Sequence, residues 1–287
     1  MTCPLCLDFQ LVTTDTPQGA RAEPCPRCVG VCGSCQGSGY VLRRSPDGYT
    51  DLVPCSCRKV GRRADLYNAA GLPGRFHRAK LFNFEERVED HAAILEYLDG
   101  WARKFRPGIE GILFFGPTGI GKTHLMAALV RHVTLVLSSP ARFVDFFQLL
   151  ARIREAYSTG RSEMALLGPL LDTPLLAIDE LGKGKAGDWE RGVLDQLISH
   201  RYNNQLTTLF TTNHPLEPDP AEKSLGGRLV LRSPEDLEKV LGTPPLEERV
   251  GVRIYSRIRE MCRPIALRGA DDIRTSVLAR PPLRGEG

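Results

Sequence analysis

The sequence predicts an α/β fold: a parallel sheet flanked by helices, preceded by a small metal-stabilised domain. Three observations carry that expectation. From residue 111 onward, short uninterrupted apolar runs alternate with helix-length amphipathic segments. A glycine-rich turn joins the first such run to the first such helix. Ahead of this pattern, eight of the nine cysteines crowd between Cys3 and Cys57. Repeated strand–helix alternation builds parallel sheets covered on both faces.

The chain has 287 residues, room for one large domain and a small one. It is 42% hydrophobic and 25% charged, ordinary for a globular protein. A formal net charge of +4 gives only a weak bias toward polyanions. No run of ~18 apolar residues is present, so no membrane span is expected. The start, MTCPLCLDF, lacks the basic and apolar regions of a secretory signal, which makes the cytoplasm the expected location. In that reducing compartment, clustered Cys-x-x-Cys pairs read as metal ligands rather than disulfides.

Residues 1–60 are rich in Cys, Gly, Pro and turn formers and show no helical apolar period. So small a core needs staples, which metal supplies. Residues 61–107 read as a basic linker and a helix. The stretch RKVGRRADLYNAAGLPGRFHRAKLFNF is only loosely patterned. Between Asp90 and Phe105, Ile94, Leu95, Leu98, Trp101, Ala102 and Phe105 recur at helical spacing, giving one buried face. Pro107 and Gly108 end that helix. Residues 108–276 form the main domain. Strands are predicted at Ile112–Phe115, Ala141–Asp145, Pro174–Asp179 and Thr207–Thr211. Helices are predicted at about Lys122–Leu137, Phe146–Tyr157 and Asp188–Asn203. The runs ILFF and LLAI are what fully buried strands require. Residues 214–247 are a Pro-rich, loop-like insertion. A helical period returns over Glu248–Cys262, through Val252, Tyr255, Ile258 and Met261, and Arg263–Leu267 reads as a last strand. The tail, 277–287, is expected to be disordered.

GPTGIGKT, comprising Gly116, Pro117, Thr118, Gly119, Ile120, Gly121, Lys122 and Thr123, matches the P-loop pattern between a strand and a helix. Glycines let backbone N–H groups converge on phosphate oxygens without a Cβ in the way. The helix presents its positive end to the same phosphates. Lys122 is the candidate for the β- and γ-phosphates and Thr123 for a magnesium ligand. LLAIDE places Asp179 and Glu180 at a buried strand end. Alone, such a pair is as often a helix cap; beside a P-loop, Asp179 becomes a candidate for the magnesium shell and Glu180 for polarising a water. Asn213 ends the next strand in TTN, placed to face the γ-phosphate and orient that water.

A P-loop, an acidic Walker B pair and a Thr-Thr-Asn strand end together resemble an AAA+ ATPase. Within that class the order of elements is similar to the DnaC/DnaI-type helicase loaders and to IstB, the transposition helper ATPase. The likeness covers roughly residues 70–275. It includes LPGRFHRAKLFNF, HRYNNQLTTLFTTN and RVGVRIYSRIREMCRPIALRGADDIR. The Pro-rich insertion departs from it. The resemblance implies ATP and Mg²⁺ as cofactors. It also implies an arginine that reaches a neighbouring subunit's γ-phosphate. Arg257 is the first candidate and Arg253 the second; four residues apart, they share a helix face. Arg274 falls near a nucleotide-contacting sensor position. An arginine acting in trans makes a homo-oligomer or a mixed AAA+ assembly the expected working form.

The eight clustered cysteines fall into pairs, Cys3 and Cys6, Cys25 and Cys28, Cys32 and Cys35, Cys55 and Cys57, while Cys262 stands alone. The gap from Cys6 to Cys25 nearly equals that from Cys35 to Cys55, which suggests two successive four-thiolate zinc sites. Iron–sulfur ligation is the alternative. CGSCQGSGY, residues 32–40, resembles the zinc repeat of J-protein chaperones, whose pairs interleave, and that pairing also fits. Only one complete repeat is present, however, and the His-Pro-Asp tripeptide that marks a J-domain occurs nowhere. The element therefore reads as an adaptor on an ATPase. Residues 1–80 carry a formal +5, which two zinc-bound thiolate sets reduce to about +1. Only the local patch of Arg43, Arg44, Arg58, Lys59, Arg62 and Arg63, with Tyr40 and Tyr49, then favours single-stranded DNA. Contact with DNA and contact with a replicative helicase remain equal expectations. The leading functional expectation is an ATP-hydrolysing helicase loader in DNA replication. The alternatives are an IstB-like ATPase assisting a transposase and a nucleotide-gated adaptor with little hydrolysis.

Overall fold

The computed structural model describes residues 3–6, 9–30, 32–84, 90–184, 187–216 and 244–268. Two antiparallel hairpins come first. β1 (Leu11–Thr16) pairs with β2 (Gly19–Pro24), and β3 (Tyr40–Arg44) with β4 (Thr50–Pro54). Helix α1 (Arg58–Ala70) follows, then 3₁₀ turns at Gly74–Phe76 and Leu81–Asn83, then α2 (Asp90–Lys104). The chain then runs β5 (Gly111–Phe115), α3 (Lys122–Leu135), β6 (Ala141–Asp145), α4 (Phe146–Ser158) and α5 (Met164–Leu171). It continues through β7 (Leu175–Asp179), α6 (Asp188–Asn203), β8 (Thr207–Thr212), α7 (Leu246–Val250), α8 (Val252–Met261) and β9 (Cys262–Ala266).

The last five strands form one parallel sheet in the order β6-β7-β8-β5-β9. Alternate side chains divide between two cores, as the period of a strand requires. Ile112, Phe114, Leu175, Ala177 and Leu209 face the core shared with α1, α2 and α3. Leu113, Leu176, Ile178 and Phe210 face the core shared with α4, α5, α6 and α8. The predicted three-layer α/β arrangement is therefore present.

Several local expectations are corrected. Residues 58–70 form a regular helix where the sequence reads as loosely patterned. Its buried positions, Val60, Ala64, Tyr67 and Ala70, do keep helical spacing. Two of them are alanines, which hide the apolar stripe among basic neighbours. Gly71, in the left-handed region at φ 76°, stops the helix. Helix α5 is a second addition; Pro169 inside it masks its period. The helix expected over Glu248–Cys262 is two helices, broken at Gly251, whose φ is 90°. Its buried face is Ile254 and Ile258, while Val252 is exposed. The expected insertion at 214–247 contains the start of α7, and residues 217–243 lie outside the described residues, as does the tail 277–287.

Arg201 on α6 is wholly buried, yet none of its hydrogen-bond partners is a carboxylate. Its guanidinium donates to the carbonyls of Leu170, Leu171, Thr173 and Thr207 and to Thr208 Oγ1, at 2.6–3.0 Å. Burial lowers its pKa to about 9. One side chain thus satisfies the end of α5, the entry to β7 and the start of β8. Arg201→Met would fill similar space but orphan several buried acceptors, each worth about 1–3 kcal/mol. Urea unfolding is expected to show a loss of about 3 kcal/mol or more.

Candidate active site

The P-loop follows β5 and opens α3. Gly116 adopts φ 139°, and a Cβ there would lie 2.2 Å from the Leu267 carbonyl oxygen. Only glycine fits that approach. The Lys122 ammonium donates to the carbonyls of Gly116 at 2.7 Å and Pro117 at 2.5 Å. Its side chain therefore lies along the loop. Lys122 is also the first residue of α3, so the positive end of that helix faces the loop.

Strand β8 sits between β5 and β7 and joins the parts of the site. Asp179 Oδ1, at the end of β7, accepts hydrogen bonds from Thr123 Oγ1 at 2.9 Å and from Thr211 Oγ1 at 2.5 Å. Thr211 in turn receives the Glu180 N–H at 3.0 Å. Burial pushes the Asp179 carboxyl above its ordinary value. The two threonine hydroxyls oppose that rise, and the Glu180 and Asp145 carboxylates add to it. A buried carboxylate with a raised pKa has unmet demand for positive charge. Glu180 adopts φ 57°, a strained left-handed conformation for a residue with a Cβ. The turn brings Glu180 into the cavity, where Lys183 pairs with it.

A cavity of about 380 Å³ lies over these groups. One wall is Thr118, Gly119, Gly121, Lys122, Thr123, Glu180, Thr211 and Asn213. The other is Arg75, Phe76, Asn83 and Phe84, with His124 of α3 at their edge. Sequence reasoning missed that second wall. Its signal was present in LPGRFHRAKLFNF, but no period or spacing there assigns a role. Arg249 was missed as well; it donates to the carbonyls of Gly182, at 3.0 Å, and Gly184, holding the turn after Glu180.

Of the predicted residues, Pro117 supplies a carbonyl to Lys122, and Ile120 is buried beneath the loop. Arg257 and Arg253 lie elsewhere, on α8. Arg257 donates to Asp195 Oδ1 at 3.1 Å and to Ser199 on α6. Arg253 is exposed, 3.9 Å from the same carboxylate. Arg274 lies outside the described residues.

The cysteines gather into two separate sets in sequence order. Cys3, Cys6, Cys25 and Cys28 form the first; Cys32, Cys35, Cys55 and Cys57 form the second. Within each set the sulfurs lie within 4.8 Å of one another. Cross-pair separations are 3.9 and 3.3 Å in the first set and 3.7 and 3.4 Å in the second. A tetrahedron with metal–sulfur bonds of ~2.3 Å has edges of about 3.8 Å. The sets fit a metal, and the pairing is successive rather than interleaved. Backbone amides add to that fit. The Cys6 N–H and the Cys28 thiol lower Cys3 to about 6, and the Cys35 and Ser34 N–H groups lower Cys32 to about 6, while neighbouring sulfurs push Cys28 and Cys57 up in return.

The sheet order, P-loop and acidic strand end define an ATP-binding protein of the AAA+ class. Within that class the chain belongs to the IstB-like ATP-binding protein family, whose model matches residues 56–221. It is 25% identical to the replicative helicase loader DnaC of Escherichia coli strain K12 over 167 residues, 58% of this chain and 67% of that one. A crystal structure of the DnaC helicase loader superposes with a TM-score of 0.53 at 26% identity, covering 68% of this chain and 99% of that one. A crystal structure of DnaI gives 0.51 at 21% identity, covering 71% and 94%, a likeness of fold. Among the described residues, no helix is long and apolar enough to cross a membrane.

Asp179→Asn tests the electrostatics of the site. Asparagine retains an oxygen for both threonines but removes a desolvated charge. At neutral pH without magnesium, the variant is expected to melt at or above the wild-type temperature, by up to about 4 °C. The raised carboxyl favours the folded state only while protonated. That contribution is lost as pH rises through the folded pKa, so the gain should shrink in acid.

Proposed function

We propose that the chain is an ATPase that loads or remodels a replicative helicase on DNA. The observation that carries hydrolysis is the strained Glu180, turned into a cavity that also holds Lys122, Thr123 and Asn213. A nucleotide switch with little turnover has no need of that conformation. The observation that favours a helicase as target is the likeness to DnaC in sequence and structure together.

The residues divide the work by position. The P-loop amides and Lys122 hold the phosphate chain. Thr123 and Asp179, already joined through Oδ1, are the ligands for Mg²⁺, which would supply charge neutralisation at the phosphates. Glu180 takes the proton of the attacking water, and Asn213 orients that water. Arg253 and Arg257 are the candidates for completing a neighbour's site. Arg253 is already exposed, and Arg257 would have to leave Asp195 and Ser199. An assembly, of this chain or mixed, is therefore the active form.

The two cysteine sets are zinc sites in this reading, kept reduced in a cytoplasmic setting. The second carries the adaptor surface. On β3–β4, Tyr40, Leu42, Tyr49 and Leu52 are exposed, with Arg43 and Arg44 beside them. The family match favours a second reading, an ATPase assisting a transposase.

Glu180→Gln is expected to bind ATP normally and lose about 10²-fold or more in turnover. Unchanged turnover would return the chain to the nucleotide-gated adaptor. The same variant, loaded with ATP and used to capture partners from its host lysate, separates the other two readings. A hexameric replicative helicase supports the loader; a transposase supports the helper.

A further inference from the structure

The two cysteine sites stand in opposite relations to the rest of the molecule. Hairpin β3–β4, beside the second site, buries none of its residues. Hairpin β1–β2, beside the first, buries Leu11, Ala20 and Ala22 in the same core as α3, the helix that carries Lys122. Its contacts converge on one short segment. The Ala20 N–H donates to the Leu72 carbonyl at 2.8 Å. Asn68, near the end of α1, accepts the Ala22 N–H at 2.7 Å and donates to the Ala22 carbonyl at 3.0 Å, as a neighbouring strand would. Asp15 packs on Gly74 so closely that a Cβ there would lie 1.6 Å from its Oδ1. Phe9, beside the first cysteine set, stacks 4.6 Å from the Arg63 guanidinium and 5.6 Å from that of Arg131 on α3. The segment held in this way leads into Arg75 and Phe76, part of the cavity wall facing the P-loop.

We infer that the first four-cysteine site is a built-in part of the nucleotide site. Metal held by Cys3, Cys6, Cys25 and Cys28 fixes hairpin β1–β2, and the hairpin positions Arg75 and Phe76 through Asp15 and Asn68. A two-stranded hairpin is marginal by itself, and in small metal sites binding energy is folding energy. Without metal, the segment from Leu72 to Phe76 loses its support on one side, and the cavity loses a fixed wall. Linkage makes the coupling reciprocal: bound nucleotide tightens the hold on the first metal. The second site is joined less directly: Cys57 caps the start of α1, the end far from Asn68, and hairpin β3–β4 buries none of its strand residues. The two sites, alike in ligands, thus do different work. One shapes the ATP site and the other presents a surface. The inference rests on the ATP and zinc readings above, and the test keeps them apart.

The full-length zinc-loaded chain is titrated with a fluorescent ATP analogue, with zinc content measured in parallel. Cys28→Ser and Cys57→Ser are each expected to lose one zinc. Only Cys28→Ser should weaken nucleotide binding, by about fivefold or more. Asn68→Ala and Asp15→Ala provide the second readout. Both should retain two zinc ions and raise the KM for ATP, while kcat at saturating ATP stays within about twofold, because Lys122, Asp179 and Glu180 are untouched. A merely destabilised fold would lower the active fraction, and so kcat, instead. Equal affinity in wild type, Asn68→Ala and Asp15→Ala would overturn the inference, whatever becomes of Cys28→Ser. Equal weakening by Cys28→Ser and Cys57→Ser would overturn it too. A wild-type chain that bound no nucleotide would sink the proposed function itself, and one that held no metal would sink the zinc reading.

Discussion

A single carboxylate oxygen organises this protein. Asp179 Oδ1 receives Thr123 from the P-loop helix and Thr211 from the neighbouring strand. Three elements from three parts of the chain meet at that atom, and each brings one component of a phosphate-handling site. The oxygen is buried, so its charge is poorly hydrated, and two hydroxyls compensate only in part. The site is left with an appetite for a cation. That is a cost to the fold and a resource for the chemistry, a common relation in active sites.

The surrounding architecture serves to keep that oxygen in place. Uninterrupted apolar runs bury β5 and β7 on both faces, and β8 is wedged between them. Arg201 locks the far ends of β7 and β8 with neutral acceptors alone. Charge is thus placed at both ends of the same strands. At one end an arginine is satisfied by carbonyls; at the other a carboxylate is held by threonines. The first fixes register, and register decides that Thr211 lies beside Asp179 rather than on the opposite face.

Much of this was legible in the sequence where a short pattern has one physical solution. GPTGIGKT between ILFF and a helix allows little besides a phosphate loop, and LLAIDE announces a buried strand with an acidic end. Cysteine spacing indicated two sets and left their pairing open until the sulfurs were placed in space. Patterns failed where small residues carry the packing. Ala64 and Ala70 gave α1 too weak a stripe, and Pro169 disguised α5. The second cavity wall was invisible for another reason. Arg75, Phe76 and Phe84 become neighbours of Lys122 only through tertiary contact, and no local period encodes that. Equally, the spacing of Arg253 and Arg257 shows a shared helix face but not that Asp195 is already beside it.

The strand order also sets a schedule for synthesis. β5 is made early among the sheet strands, but both its neighbours, β8 and β9, are made late. Gly116 takes its tight conformation against the Leu267 carbonyl, near the last described residue. While the ribosome is still working, the phosphate loop exists as sequence without its flanking supports. A chain growing from its N-terminus can therefore fold its cysteine hairpins first and must wait for about β9 before it can grip a nucleotide. Truncated products would carry the cysteine hairpins without a supported phosphate loop, and competence for ATP would certify that synthesis had reached β9.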